Sequence, residues 1–109
     1  MVSMTKKKRY SERIVMALME NFHELESTLV DANPTHMDPM YDYKSAVERI
    51  ELTPMERKVF DARYPMDDVC PSSYDVADAL EVSRQYVDKT GSTIRRKISS
   101  EMNRGLSDV

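Results

Sequence analysis

This sequence has no tryptophan, only two glycines, a single cysteine and no long apolar run. One cysteine, Cys70, cannot form a disulfide within the chain, and it fits a reducing, cytoplasmic compartment. Without about 18 consecutive apolar residues, we expect no membrane-spanning helix. Alternating runs of β-branched residues are also missing, which argues against strands. We therefore predict an all-α fold, with 109 residues being enough for one small helical domain.

The residue patterns that carry catalysis or bind metals are missing too. No nucleophile stands beside a general base, and no glycine-rich loop could hold a phosphate. The acidic residues and His36 around residues 31–42 match no metal-ligand spacing, and His23 stands alone. We therefore expect that the protein is not an enzyme and that it binds no cofactor, metal or small-molecule substrate.

Charge is distributed unevenly along the chain, although its net value is only −3. Residues 82–104 contain six basic and two acidic side chains, and residues 1–9 contain four basic ones. Residues 10–81 contain sixteen acidic and six basic side chains. A basic segment on an acidic body is either a solvated helix face or a nucleic-acid contact.

The N-terminal third predicts a tail, a helix and a linker. Residues 1–10 are basic and aperiodic, which indicates a disordered tail able to touch phosphates. Residues 11–38 predict a helix and a proline-rich linker. The helix begins at Ser11 and carries an apolar stripe of Ile14, Leu18, Phe22, Leu25 and Leu29, widened by Val15 and Met19. This stripe either packs against the rest of the chain or binds a partner.

Residues 39–105 form the second predicted unit, which begins with two helices. The first runs from about Pro39 to Glu51. The second has an N-terminal capping box, in which Thr53 is the cap and Glu56 follows three residues later. It continues to Tyr64 and is ended by Pro65.

Residues 72–98 predict a short helix, a tight turn and a longer helix. Ser72 and Ser83 are the expected N-caps, and 81–82 is the turn. The longer helix carries an apolar stripe of Val87, Gly91, Ile94, Ile98 and Met102. This order is typical of a helix-turn-helix, whose second helix enters the DNA major groove with its first residues. Those residues here are Arg84, Gln85, Asp88 and Lys89.

Two separated segments now suggest a family. Residues 80–87 (LEVSRQYV) and 96–98 (RKI), with 52–60 (LTPMERKVF) and 63–64 (RY) upstream, resemble the C-terminal DNA-reading domain of bacterial sigma factors. This domain is the region 4 type of helix-turn-helix. Phage late transcription regulators of the ArpU type share the pattern. The resemblance implies a DNA-binding transcription regulator that acts with RNA polymerase.

The resemblance also implies two sets of functional residues. DNA contacts would come from Ser83, Arg84, Gln85, Asp88, Lys89, Thr93, Arg95, Arg96 and Lys97. A surface that docks on RNA polymerase or a sigma factor would come from Thr53, Glu56, Arg57, Phe60 and Tyr64.

Three residues depart from the family pattern. Glu81 stands where the turn usually has glycine, Asp88 stands where the family has a base-contacting arginine, and Gly91 lies within a helix. An acidic residue on the reading face leaves a second interpretation open, a sigma-mimicking module that binds polymerase or a sigma factor without reading DNA. A third is the DNA-recognition domain of a packaging or recombination protein.

Overall fold

The computed structural model describes residues 10–28 and 39–104, and all regular structure in these residues is helical. The five helices are α1 (Glu12–Thr28), α2 (Pro39–Arg49), α3 (Pro54–Arg63), α4 (Ser73–Leu80) and α5 (Arg84–Arg104). The all-α prediction is confirmed for this part of the chain. Residues 1–9 of the predicted tail, the linker up to residue 38 and residue 105, the last of the second predicted unit, lie outside the described residues.

Helix α5 is the centre of the fold, since it packs against each of the other four helices. Its predicted stripe is confirmed: the residues that face the core are Val87, Gly91, Ile94, Ile98 and Met102. Burying one such aliphatic side chain stabilises the fold by roughly 1.5–3 kcal/mol. Among the described residues, no helix combines the length and apolarity that crossing a bilayer requires.

Helix α1 packs on α2 and α5 through most of the predicted face, with one residue misassigned. The buried residues are Val15, Leu18, Met19 and Phe22, whereas Ile14 is 42% exposed, so its assignment to the core stripe was wrong. Successive residues lie 100° apart around a helix, and the face formed by Val15, Leu18 and Met19, before the non-helical Asn21, leaves Ile14 at its edge. Leu29, the last residue of the predicted stripe, lies outside the described residues.

The two ends of the described chain meet through Asn103 near the end of α5. The Tyr10 backbone N–H donates to Asn103 Oδ1 at 2.8 Å, and Asn103 Nδ2 donates to the Tyr10 carbonyl at 3.0 Å. Nδ2 also donates to the Ser99 carbonyl at 2.9 Å. Tyr10, the last residue of the predicted tail, is therefore buried in the core. Such buried polar contacts are expensive to break because no water replaces them.

Serine and threonine oxygens cap three helices at the predicted positions. At α3, Thr53 Oγ1 accepts from the Glu56 N–H at 3.1 Å and Glu56 Oε1 accepts from the Thr53 N–H at 3.0 Å, which completes the capping box. Ser72 Oγ accepts from the Asp75 N–H at α4. Ser83 Oγ accepts from the Tyr86 N–H at 3.0 Å at α5. Each cap satisfies a backbone donor that the helix itself cannot pair.

Replacement of the α5 cap gives a first test of these assignments. We expect Ser83→Ala to lower the free energy of unfolding by about 1 kcal/mol, because the Tyr86 N–H loses its acceptor. Ser100→Ala is the matched control, since Ser100 is an exposed serine within the same helix and alanine is the better helix former. Urea unfolding of both variants measures the difference. Equal midpoints for the two would contradict the capping role.

Candidate nucleic-acid interface

A three-residue connection, 81–83, joins α4 to α5. Glu81 adopts the left-handed conformation (φ 59°, ψ 44°), at an energetic cost of about 1 kcal/mol for a residue with a side chain. The Val82 N–H donates to the Ala77 carbonyl at 3.0 Å, and the Glu81 N–H donates to Asp78 at 3.3 Å. These bonds satisfy carbonyls at the end of α4 as a C-terminal glycine motif would. The sharp turn is therefore formed without the expected glycine.

The face of α5 that points away from the core carries a polar and basic stripe. Gln85, Lys89 and Arg96 are exposed and lie within about 40° of one another around the helix. Lys89 and Arg96 are seven residues apart, or about 10 Å along the axis. Within the described residues, no carboxylate pairs with either side chain. Both cations are therefore available to an anionic ligand.

Arg84, at the start of α5, is held by side chains from two helices. Its guanidinium carbon lies 4.5 Å from the centre of the Tyr74 ring, and Nη1 donates to the Tyr74 hydroxyl at 2.9 Å. Its Nε lies 3.6 Å from Asp88 Oδ2, one helical turn further on. Tyr74 belongs to α4 and remains 65% exposed. The acidic residue on the predicted reading face thus pairs with the neighbouring arginine.

Other side chains of the predicted DNA set make contacts within the protein. The Arg95 side chain is only 19% exposed, and its Nε lies 3.4 Å from Glu12 Oε1 of α1. Lys97 Nζ donates to Glu56 Oε1 at 2.7 Å and to the Glu51 carbonyl at 3.1 Å. Thr93 Oγ1 donates to the Lys89 carbonyl at 3.3 Å. Of the three consecutive cations, Arg96 is the one that faces outward.

The predicted partner-binding residues of α3 are divided between the core and the surface. Phe60 and Tyr64 are buried, and Thr53 and Glu56 form the capping box. Arg57 is exposed, with its guanidinium 6.0 Å from the Phe60 ring centre and 3.7 Å from Asp61. Of the five, Arg57, Phe60 and Tyr64 line a groove with residues of α2 and of the loop after α3. The lining residues are Lys44, Val47, Glu48, Arg57, Phe60, Asp61, Tyr64, Pro65, Met66 and Asp67. Phe60 and Tyr64 contribute to its apolar floor.

Two carboxylates, Glu56 and Glu101, form ion pairs between α5 and its neighbours, and the pKa of each is lowered. The hydrogen bond from Lys97, followed by that from the Thr53 N–H, lowers the pKa of Glu56. The hydrogen bond from Arg49 of α2, at 2.6 Å, is the largest cause that lowers the pKa of Glu101, with a further contribution from Arg104. Hydrogen bonds to the charged form favour it over the neutral acid.

The lowered pKa of Glu56 predicts an acid-sensitive contribution to stability. Its folded-state pKa lies below its unfolded-state value, so the contribution is present above the unfolded pKa and is lost as pH falls through the folded pKa. We expect Lys97→Met to reduce the fall in unfolding free energy between neutral pH and about pH 3. Lys89→Met removes a cation that pairs with no carboxylate of the described residues, and it is the control. Urea unfolding across this range measures the effect, and parallel profiles for the two variants would contradict it.

Sequence reasoning missed Tyr74 and Asn103. Tyr74 lies off the inward stripe of α4, and its exposed ring is visible in sequence only as a large aromatic residue among polar neighbours. Asn103 contacts a residue 93 positions away, for which no local pattern exists. The pairing of Arg84 with Asp88 did have a signal, since opposite charges four residues apart on a helix attract.

Cys70, in the connection between α3 and α4, contacts the backbone of α1. The Cys70 thiol is half-buried, donates to the Met19 carbonyl at 3.5 Å, and has its pKa raised by burial, which disfavours the nucleophilic thiolate. In residues 10–28 and 39–104, no three acidic, histidine or cysteine side chains converge as metal ligands.

No protein-family model, curated protein or solved structure matches this chain.

Proposed function

We propose that this chain is a DNA-binding transcription regulator in which α4 and α5 act as a sigma-like helix-turn-helix, working with RNA polymerase and without catalysis. The observation that carries the proposal is the exposed stripe of Gln85, Lys89 and Arg96 on α5. A helix fits the major groove of B-DNA, where glutamine pairs with adenine and basic side chains reach guanine or phosphate.

The way in which α5 is packed and capped supports this role. The helix is fixed to the core by Val87 and Ile94, which lie opposite the stripe. The left-handed turn at Glu81 and the Ser83 cap define where α5 begins. A reading helix needs this rigidity, because side chains ordered before binding lose less entropy on contact.

The predicted DNA-contacting cations differ in whether they already pair with a carboxylate within the protein. Lys89 and Arg96 pair with no carboxylate of the described residues, whereas Arg95 and Lys97 would have to leave Glu12 and Glu56. We therefore assign phosphate contacts to Lys89 and Arg96. Arg95 and Lys97 keep α5 attached to α1 and α3.

Salt-dependent binding to duplex DNA tests the proposal. Fluorescence anisotropy should show wild-type affinity falling with salt, because bound cations release counterions from phosphate. For Lys89→Gln/Arg96→Gln, we expect weaker binding and a logarithmic salt slope shallower by about 0.9 for each lost phosphate contact.

The control for that experiment is Arg13→Gln/Lys58→Gln, which removes the same charge from exposed positions on α1 and α3. It should leave both affinity and salt slope near the wild-type values. Equal weakening by the two double variants would mean that net charge, and not the α5 stripe, determines binding. Repeating the titration with RNA polymerase tests the partner, for which the α2–α3 groove with Arg57 is the proposed docking surface.

One observation favours the sigma-mimic as a second candidate. Asp88 pairs with Arg84, the first residue of α5, and so offsets its charge and places a carboxylate near the N-terminus of this helix. In this reading the wild type binds polymerase or a sigma factor but no duplex, and Asp88→Arg creates salt-sensitive DNA binding. Sequence-selective binding by the wild type would reject it.

A further inference from the structure

Tyr74, Arg84 and Asp88 form a preassembled group at the start of α5. The three side chains come from two helices, and each contact restrains the guanidinium in a different direction. The Tyr74 ring lies under it, the Tyr74 hydroxyl takes one Nη1 hydrogen, and Asp88 lies beside Nε. An arginine side chain otherwise has many rotamers, so this arrangement selects one orientation in advance.

The contacts leave a defined set of donors unoccupied. A guanidinium has five N–H groups in a planar fork. With Nε facing Asp88 and one Nη1 hydrogen on Tyr74, the outer edge formed by Nη1 and Nη2 still has donors, and within the described residues no acceptor meets Nη2. Two parallel donors of this kind match the O6 and N7 acceptors of guanine in the major groove.

We propose that Arg84 is a preoriented guanine reader and that Tyr74 and Asp88 are its positioning residues. The inference rests on the proposed function, since it assigns base specificity to the same surface. Gln85 and Lys89 follow on the helix, so the guanine lies at the end of the recognised site nearest the start of α5.

The inference gives Asp88 a role that simple repulsion does not. A carboxylate near DNA phosphates weakens binding to every sequence, but one that fixes Arg84 strengthens binding to the correct base. Replacing it by a neutral isostere therefore has opposite effects on random and on selected DNA. Repulsion alone would give the same sign for both.

Selection from a randomised duplex pool, followed by base substitution, tests the inference. Wild-type protein should select a site with one guanine whose replacement by 7-deazaguanine, which lacks the N7 acceptor, weakens binding roughly five- to a hundredfold. For Arg84→Ala the same replacement should have no effect. This comparison identifies the guanine that Arg84 contacts.

The positioning residues are then tested at that base pair. Asp88→Asn and Tyr74→Leu should each lose most of the discrimination between guanine and 7-deazaguanine, and Asp88→Asn should bind random duplex slightly more tightly. Tyr41→Leu replaces an equally exposed tyrosine on α2 and should keep the wild-type preference. Thermal melts confirm that each variant is folded.

Three results would overturn the inference, and they can be told apart. Selected sites with no guanine dependent on Arg84 would reject the reader while leaving DNA binding intact. Full guanine discrimination by Asp88→Asn and Tyr74→Leu would reject their positioning roles. Failure of the wild type to bind any duplex would reject the inference together with the proposed function.

Discussion

Deletion of residues 1–32 is expected to leave a chain without a fixed core. The side chains of α1 that enter the core are Val15, Leu18, Met19 and Phe22, each at most 3% exposed. At roughly 1.5–3 kcal/mol per buried side chain, their loss is comparable with the whole stability of a small domain, about 5–15 kcal/mol. Loss of near-ultraviolet circular dichroism and of a cooperative urea transition would show it. A truncated monomer as stable as the full chain would make α1 an appendage.

A pair of substitutions within α1 refines this expectation. Phe22→Ala should lower the unfolding free energy by about 3–5 kcal/mol, because the ring is buried against Tyr43 with centroids 5.4 Å apart. Ile14→Ala removes a smaller apolar side chain from the exposed edge of the same helix and should cost far less. Comparable losses from both would place the packing face of α1 elsewhere.

Gly91→Ala is expected to destabilise the protein although alanine is the better helix former. A Cβ at residue 91 would lie 2.9 Å from the Tyr64 hydroxyl oxygen and 3.7 Å from the nearest ring carbon. Tyr64 is 7% exposed, packed beside Phe60 and under the Arg63 guanidinium, so its ring has little room to move. Overpacking of this kind costs about 1–3 kcal/mol, more than the helix propensity of up to about 1 kcal/mol that alanine restores.

The Tyr64→Phe background isolates this contact. Without the hydroxyl, the remaining distances are ordinary van der Waals contacts, and Gly91→Ala should become neutral or stabilising by up to about 1 kcal/mol. A double-mutant cycle by urea unfolding measures the coupling between the two positions. The same change in both backgrounds would show that the hydroxyl does not constrain residue 91.

Local signals predicted most of the helices because their causes are local. Thr53 and Glu56 lie three residues apart and satisfy each other within one turn, and Ser83 caps α5 in the same way. The edge of the α1 face, at Ile14, could not be fixed from sequence, since seven apolar residues make a stripe too wide to define the rotation of the helix. That rotation is set by α2 and α5, which are distant along the chain.

The candidate site shows the same division between local and distant causes. Nothing in the sequence distinguishes the three consecutive cations 95–97. In the structure, Arg95 pairs with Glu12 and Lys97 pairs with Glu56. Gly91 looked like a weak point in a helix, and its reason lies in Tyr64, which belongs to α3. No pattern within a short window indicates such partners, so sequence reasoning could predict the stripe but not which of its charges remain unpaired.

The central position of α5 has a consequence for how the chain folds during synthesis. It is the last of the five helices to leave the ribosome, yet it contacts all the others, and the Tyr10–Asn103 hydrogen bonds span 93 residues. Among the described helices before α5, the contacts in the folded structure are those of α1 with α2 and of α3 with α4. The apolar faces that α5 covers therefore remain exposed until α5 has been translated. We expect folding to be slow for a helical domain, because the contacts of α5 with the other helices join residues that are distant along the chain.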